Sequence, residues 1–205
     1  MTGAPTLSRM TQPPASAASA ASTRERIIAS ARGMTVRVGW SAVSMGRLAA
    51  DSGLSRQTVY NEFGSKSGLA EALVLTELAL FLDVVEAAFR AEPGDLVAGV
   101  RGAVFGVLDL AERDELLRAV VSASHGANSD LLPLLTTRAD TLLAVARDVL
   151  LRCLAAYDVP FDDAHLEMAV DVVVRTTLSH VMQPSSSPAT TADDLAWVAA
   201  RVLRP

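Results

Sequence analysis

Apolar residues recur at helical rather than alternating spacing along nearly the whole chain, and each run is opened by a short polar residue and closed by glycine or proline. Ile27, Ala31, Met34 and Val38 follow one another at intervals of three or four until Gly39, and Ser22-Thr-Arg-Glu25 ahead of them has the form of a capping box. Ser44 is placed to cap a short helix MGRLAADS that Gly53 ends. Ser55 is placed to cap a second, RQTVYNEF, and Ser65 a long fourth helix running to Pro93-Gly94. Further helices are predicted at 95–112, 114–125, 129–157 with a break near Pro133, 162–183 and 191–203. Thr191-Ala-Asp-Asp194 supplies a capping box for the last, and QPSSSP forms the loop before it. The fold class is therefore all-α.

Within this pattern 44–63 stands apart. Ala49, Leu54, Val59 and Phe63 turn inward, which leaves Ser55, Arg56, Gln57, Thr58, Tyr60 and Asn61 on or near the outside of the second short helix. A helix, a tight turn at Ser52-Gly53 and a helix with a polar outer face is helix-turn-helix patterning. Arg and Gln can bond base edges in pairs, and Tyr can meet a thymine methyl or a phosphate. Lys66, the only lysine in the chain, lies in the first turn of the fourth helix. A cation there opposes the helix dipole, which points to a phosphate as its partner.

Charge sharpens this picture. The chain of 205 residues carries a net charge of -5, yet residues 1–70 hold eight cations against three anions, and the remainder ten against twenty. A basic leading unit on an acidic remainder is what a protein needs if only its front meets a polyanion. Half of the residues are apolar, enough for a substantial core. The single cysteine, Cys153, excludes an intrachain disulfide and fits a reducing cytoplasm, where it reads as a core thiol. Residues 1–21 read as a disordered tail without the apolar core of a signal peptide, and no run reaches the ~20 apolar residues of a membrane span. Ser122, Ser124 and His125 lie close together, but no nucleophile elbow, phosphate loop or metal-spaced set accompanies them. No enzyme, cofactor or metal site is expected.

The segment TRERIIASARGMTVRVGWSAVSMGRLAADSGLSRQTVYNEFGSKSGLAEAL resembles the DNA-binding domain of the TetR family, the tetracycline-repressor-like transcriptional regulators. The matching positions are Ile27, Ala31, Gly39-Trp40, Ser44-Met45, Leu48-Ala49, Gly53-Leu54-Ser55, Thr58-Val59-Tyr60, Phe63, Ser65-Lys66 and Leu69. The resemblance implies a three-helix DNA-binding domain over 22–67 and a helical effector-binding and dimerisation domain over 68–205. It implies base-reading roles for Arg56, Gln57, Tyr60 and Asn61, with Ser55 beside them. Ser44, Arg47, Thr58 and Lys66 match phosphate-contacting positions, which set register while the base contacts set sequence. Arg24 and Arg26 stand where an N-terminal arm reaches DNA, and Arg9 belongs to the tail. Three positions depart from the pattern. Thr35 replaces a core Phe, Gly46 replaces a polar side chain able to reach DNA, and Glu62 replaces a neutral or basic residue.

The resemblance further implies a homodimer through the last two helices, binding a palindromic DNA operator as a ligand-responsive repressor in the cytoplasm, at the nucleoid. Leu166, Val170, Val173, Thr177 and Val181 form one apolar face of helix 162–183, and Leu195, Val198 and Val202 one of the last. Effector candidates on apolar faces are Phe81, Phe105, Leu108, Leu142 and Tyr157, with His125 and Arg138 as polar anchors. So few polar candidates point to a small hydrophobic effector, fatty-acyl or alkane-like. The alternative is a helical dimerisation scaffold that binds no DNA.

Overall fold

Helix propensity and tertiary burial, not cap signatures alone, set where the helices begin. The computed structural model describes residues 16–122, 131, 133 and 139–203. Helix α1 spans Ser16–Val38, so it starts ahead of the predicted capping box and Ser22 lies inside it. The preceding SAASAAS is rich in alanine, the best helix former, and continues the helix backward. Gly39, at φ 81, ends α1 and leads into a single 3-10 turn, Trp40–Ala42, whose Trp40 is buried.

Helices α2 (Met45–Ser52), α3 (Arg56–Phe63) and α4 (Lys66–Ala91) are each capped as the sequence predicts. Ser44 accepts a hydrogen bond from the Arg47 amide, Ser55 from Thr58 and Ser65 from Gly68. Gly53 takes the left-handed conformation, φ 67 and ψ 32, that closes α2 and makes the turn tight.

Beyond a turn at Gly94 follow α5 (Leu96–Arg113), α6 (Glu115–Ser122), α7 (Asp140–Leu154), α8 (Asp163–Met182) and α9 (Pro188–Val202). Helix α9 starts before its predicted capping box. Ser187 is the N-cap, Pro188 fills the first turn, and Thr191 is buried within the helix. A Ser-Pro pair is itself a helix start, because proline's missing N–H is not needed there.

Two main cores divide α4 between them. The first gathers Ile27, Ala31, Trp40, Val43, Leu48, Val59 and Phe63 around Leu69 and Leu73 of early α4, and Leu116, Val120 and Leu131 join it from the later chain. The second gathers Val85 and Phe89 of late α4 with Ala103, Leu154 and Val170. Helix α4 therefore belongs to both units, and α6 packs directly on α1. Thr35, which stands where the resemblance has a core Phe, is 2% exposed and gives its hydroxyl hydrogen to the Ala31 carbonyl at 2.7 Å.

Candidate DNA interface and interior cavity

The outer face of α3 is set by what its inner face buries. Val59 is fully buried and Phe63 nearly so, which turns Arg56, Gln57, Tyr60 and Asn61 outward. Tyr60 is 49% exposed, high for an aromatic ring with no packing role. Gln57 Nε2 donates to Asn61 Oδ1 at 2.7 Å, so one helical turn presents two amides as a pre-aligned pair. Ser55 is exposed at the cap. Thr58 is half-buried, with its hydroxyl 2.9 Å from that of Ser55.

The surrounding cations are held differently. Arg47 is exposed and donates to the Ala42 carbonyl at 2.9 Å, beside Ser44 at the start of α2. Lys66 Nζ donates to the Trp40 carbonyl at 3.0 Å and lies 5.1 Å from the centre of the Trp40 ring, so its ammonium is fixed at the start of α4. Among the described residues Arg47, Arg56 and Lys66 face no carboxylate. By contrast Arg90, Arg101, Arg113, Arg147, Arg152 and Arg175 of the later helices each do. Positive charge left unneutralised beside an outward helix is an arrangement that suits a polyanion.

Arg24 and Arg26 are exposed on α1, and each also makes a contact within the protein. Arg24 lies 4.6 Å from the centre of the Phe63 ring and donates to the Glu62 carbonyl, while Arg26 donates to the Ser52 carbonyl at 2.5 Å. Each bond joins α1 to a later helix, Arg24 to α3 and Arg26 to α2, and uses one of the five N–H groups of an exposed guanidinium. Arg9 lies outside the described residues. At Gly46 a side-chain carbon would lie 3.0 Å from the Arg56 guanidinium, tighter than ordinary contact, so an alanine there would make Arg56 shift by a few tenths of an ångström.

The interior cavity has a volume of about 160 Å³ and lies among α4, α5, α6, α7 and α8. Its wall is Leu, Val, Phe, Ala and Met apart from Glu77, Asp114 and Thr177. Phe81 and Leu142 line it. Leu108 instead faces an adjoining recess of about 280 Å³, shared with the polar residues Glu112, Arg118, Ser122 and His180. Phe105 is 39% exposed and lines neither space. Tyr157 also lines neither. Its ring meets Phe89 edge-on, and its hydroxyl lies 2.9 Å from both the Phe89 and the Glu92 carbonyl, which share its one hydrogen at the end of α4. Neither residue is placed by periodicity alone, which marks an apolar face without saying what that face meets. His125 and Arg138 lie outside the described residues.

Residues missed on sequence are the ionic ones. Arg32 of α1 donates from Nε to Glu77 Oε1 at 2.9 Å and from Nη2 to Asp114 Oδ2 at 2.7 Å. The partners are 45 and 82 positions away in the chain, so no local spacing announces them. Burial opposes the Arg32 charge, but attraction by the two carboxylates outweighs it and raises its pKa. For Glu77 burial dominates, and its carboxyl is raised although Arg32 pulls it down.

The face named for dimer contact on α8 points the other way. Val170 is buried, Leu166 packs on the second core, and Val173, Thr177 and Val181 line the cavity. The exposed apolar residues of α8 are Met168 and Val172, at 59% and 58%. On α9, Leu195 packs inward while Trp197, Val198 and Val202 are outward. Among the described residues no helix is long and apolar enough to cross a membrane, and no group of three or more His, Cys, Asp or Glu could hold a metal ion.

Comparison with known proteins places this geometry. The family model described as bacterial tetracyclin repressor, C-terminal domain, matches residues 95–201, and that of bacterial regulatory proteins, tetR family, matches residues 27–73. The HTH-type transcriptional regulator AlkX of Mycobacterium tuberculosis is 29% identical over 183 residues, covering 89% of this chain and 86% of that protein. The crystal structure of the TetR family repressor AlkX from a Dietzia species, implicated in biodegradation of n-alkanes, is 30% identical with a TM-score of 0.72, covering 88% of this chain and 95% of that one. The fatty acid degradation regulator FadR of Bacillus halodurans, at 14% identity and a TM-score of 0.56, covers 89% of this chain and 96% of its own, a likeness of fold alone.

Proposed function

This chain belongs to the TetR family of DNA-binding transcriptional regulators, and from that premise we propose that it is a repressor released from a palindromic operator by a small hydrophobic effector. The observation that carries the DNA half is the outer face of α3, where Arg56, Gln57, Tyr60 and Asn61 are exposed together above a buried Val59 and Phe63. Ser44, Ser55, Arg47, Thr58 and Lys66 surround it with hydroxyl and cationic groups, the complement of two phosphate strands. A two-fold dimer would present two such helices about 34–36 Å apart, in successive major grooves, and so read a site with two-fold symmetry.

Exposed Met168, Val172, Trp197, Val198 and Val202 supply the apolar surface by which the last two helices would meet those of a second copy. The effector half is supported by the cavity, whose wall is apolar but for three side chains. Its ~160 Å³ is close to the volume of an apolar cavity that holds one benzene ring, about 150 Å³, and suits a slender chain. The Dietzia relative's link to n-alkanes agrees with that chemistry. Effector binding would shift the population toward a dimer whose reading helices no longer fit the operator spacing. The protein would work in the cytoplasm, where the nucleoid is.

The test is a fluorescence-anisotropy titration against DNA from the gene's own upstream region, at two salt concentrations, beside Gln57→Ala and Tyr60→Phe. Tight, salt-sensitive binding that the variants lose is expected. Wild type and variants binding alike at every sequence tried would favour the helical scaffold instead.

A further inference from the structure

The cavity's three polar side chains are not equivalent. Asp114 is fully engaged: Oδ2 accepts from Arg32 and Oδ1 accepts from the Leu117 amide at 2.6 Å, capping α6. Glu77 is engaged on one side only. Its Oε1 accepts from Arg32, while Oε2 is buried with no hydrogen-bond partner among the described residues and is closed to the cavity as well as to solvent, so a ligand meets it only once the carboxylate turns toward the cavity. A buried acceptor left unmatched costs free energy that a donor would recover. No cationic side chain lines the cavity to supply one. Resting on the reading of the cavity as the effector site, we propose that Glu77 is its specificity-determining anchor, that it takes the hydroxyl of a long-chain primary alcohol, and that its ion pair with Arg32 carries the contact to α1.

The head group follows from counting donors and charges. A hydroxyl brings one donor to one free acceptor. An ammonium brings three, and its charge must leave water for an apolar wall that satisfies only one of them. A carboxylate brings no donor and would join Glu77 and Asp114, two anions already sharing one Arg32. An alkane fills the wall and leaves Oε2 unmatched. The link to α1 is equally direct. Glu77 holds Arg32 through its other oxygen, and Leu116, Val120 and Leu131 belong both to the cavity wall and to the core of the DNA-reading unit. A group that draws Glu77 toward the cavity therefore weakens its hold on α1.

The experiment uses the full-length protein with octane, octan-1-ol, octylamine and octanoate, each displacing an apolar environment-sensitive fluorophore, in wild type, Glu77→Met and Glu77→Gln. In wild type octan-1-ol should displace the probe at least ~10-fold more tightly than octane, the worth of a hydrogen bond to a charged group, with octanoate weakest. Glu77→Met should make alcohol and alkane equal. Glu77→Gln, which keeps the shape and adds an amide donor, should gain affinity for octanoate. Operator affinity, read by anisotropy at saturating ligand, should fall ~5-fold or more further with octan-1-ol than with octane. Equal affinity for alcohol and alkane in wild type, a preference for octylamine or octanoate, or an alcohol preference surviving in Glu77→Met would overturn the anchor. Equal operator release by bound alcohol and alkane would overturn the link through Arg32. Displacement by none of the four would overturn the proposal together with the hydrophobic effector, and operator binding without ligand would still judge the regulator separately.

Discussion

Arg32→Met keeps an aliphatic stem and removes the guanidinium that bridges α1 to Glu77 and Asp114. The carboxylate side chains are only 12% and 7% exposed, so the substitution strands two acids away from water. Removing one partner of a fully buried pair costs about 3–5 kcal/mol. Arg32 itself is 36% exposed, which screens part of the attraction, and Asp114 keeps the Leu117 amide. The net loss should be about 2 kcal/mol, or roughly 4–8 °C in Tm for a chain of this length. Thermal unfolding of wild type, Arg32→Met, Glu77→Gln and the double variant, at one fixed protein concentration, forms a closed cycle. Burial holds the Glu77 carboxyl above its ordinary 4.5 despite Arg32. A raised carboxyl binds its proton more readily when folded, so its stability contribution is complete below 4.5 and is lost as pH rises through the folded value. Without Arg32 that value rises further, and the destabilisation should be larger at about pH 8 than at about pH 5. A loss below about 0.5 kcal/mol, an additive cycle, or a loss equal at both pH values would refute the reasoning, by showing the bridge to be an ordinary screened surface pair.

Gly46→Ala should leave stability unchanged or raise it by up to about 1 kcal/mol of helix propensity, and weaken operator binding about twofold to threefold by shifting Arg56 against α2. Undiminished affinity in anisotropy would dismiss the Gly46–Arg56 contact as incidental. Val172→Asp combined with Trp197→Asp should convert a dimer to monomer in sedimentation, because both side chains are more than half exposed and have no place in the protomer core; an unchanged mass would move the interface elsewhere. The Asp162 carboxyl caps α8, and its bonds from the His165 amide and ring hold it below its ordinary 3.8. A lowered carboxyl stabilises above its unfolded value and ceases to as pH falls through the folded one, so amides in the first turn of α8 should lose exchange protection in acid. Protection indifferent to pH, or matched by Asp162→Ala, would contradict that cap.

The reading unit was legible because its signals are local. Ser44, Ser55 and Ser65 each precede an apolar-periodic run, Gly53 sits where only a left-handed residue closes the turn, and the polar face of α3 needs only the inward set Val59 and Phe63 to be located. Cap signatures misled where two were available. Ser22 offers a cap that an alanine-rich run overrides, and Thr191 offers one that Ser187-Pro188 pre-empts. The cavity was half legible. Phe81 and Leu142 lie on its wall, but Glu77 and Asp114 are ordinary surface acids in the sequence until tertiary packing sets them against Arg32.

Helix α8 shows why the dimer face could not be assigned from periodicity. It carries apolar residues on two sides: Leu166, Val170, Val173, Thr177 and Val181 on one, Met168 and Val172 on the other. A stripe at helical spacing says that something covers it, and the longer stripe is the natural choice for an interface. Yet a helix that must serve the interior of its own protomer spends its longer stripe there, since Val170 joins the second core and Val173, Thr177 and Val181 close the cavity. The shorter, more exposed set is what remains for a second copy. If both hold, α8 is a single layer of side chains between the partner and the effector, with Val172 and Val173 adjacent in sequence on its opposite sides. An occupant of the cavity then presses on the dimer contact without any separate relay, while Glu77 and Arg32 act on the opposite wall. The same molecule can thereby change both how far apart the two reading units stand and how each is held.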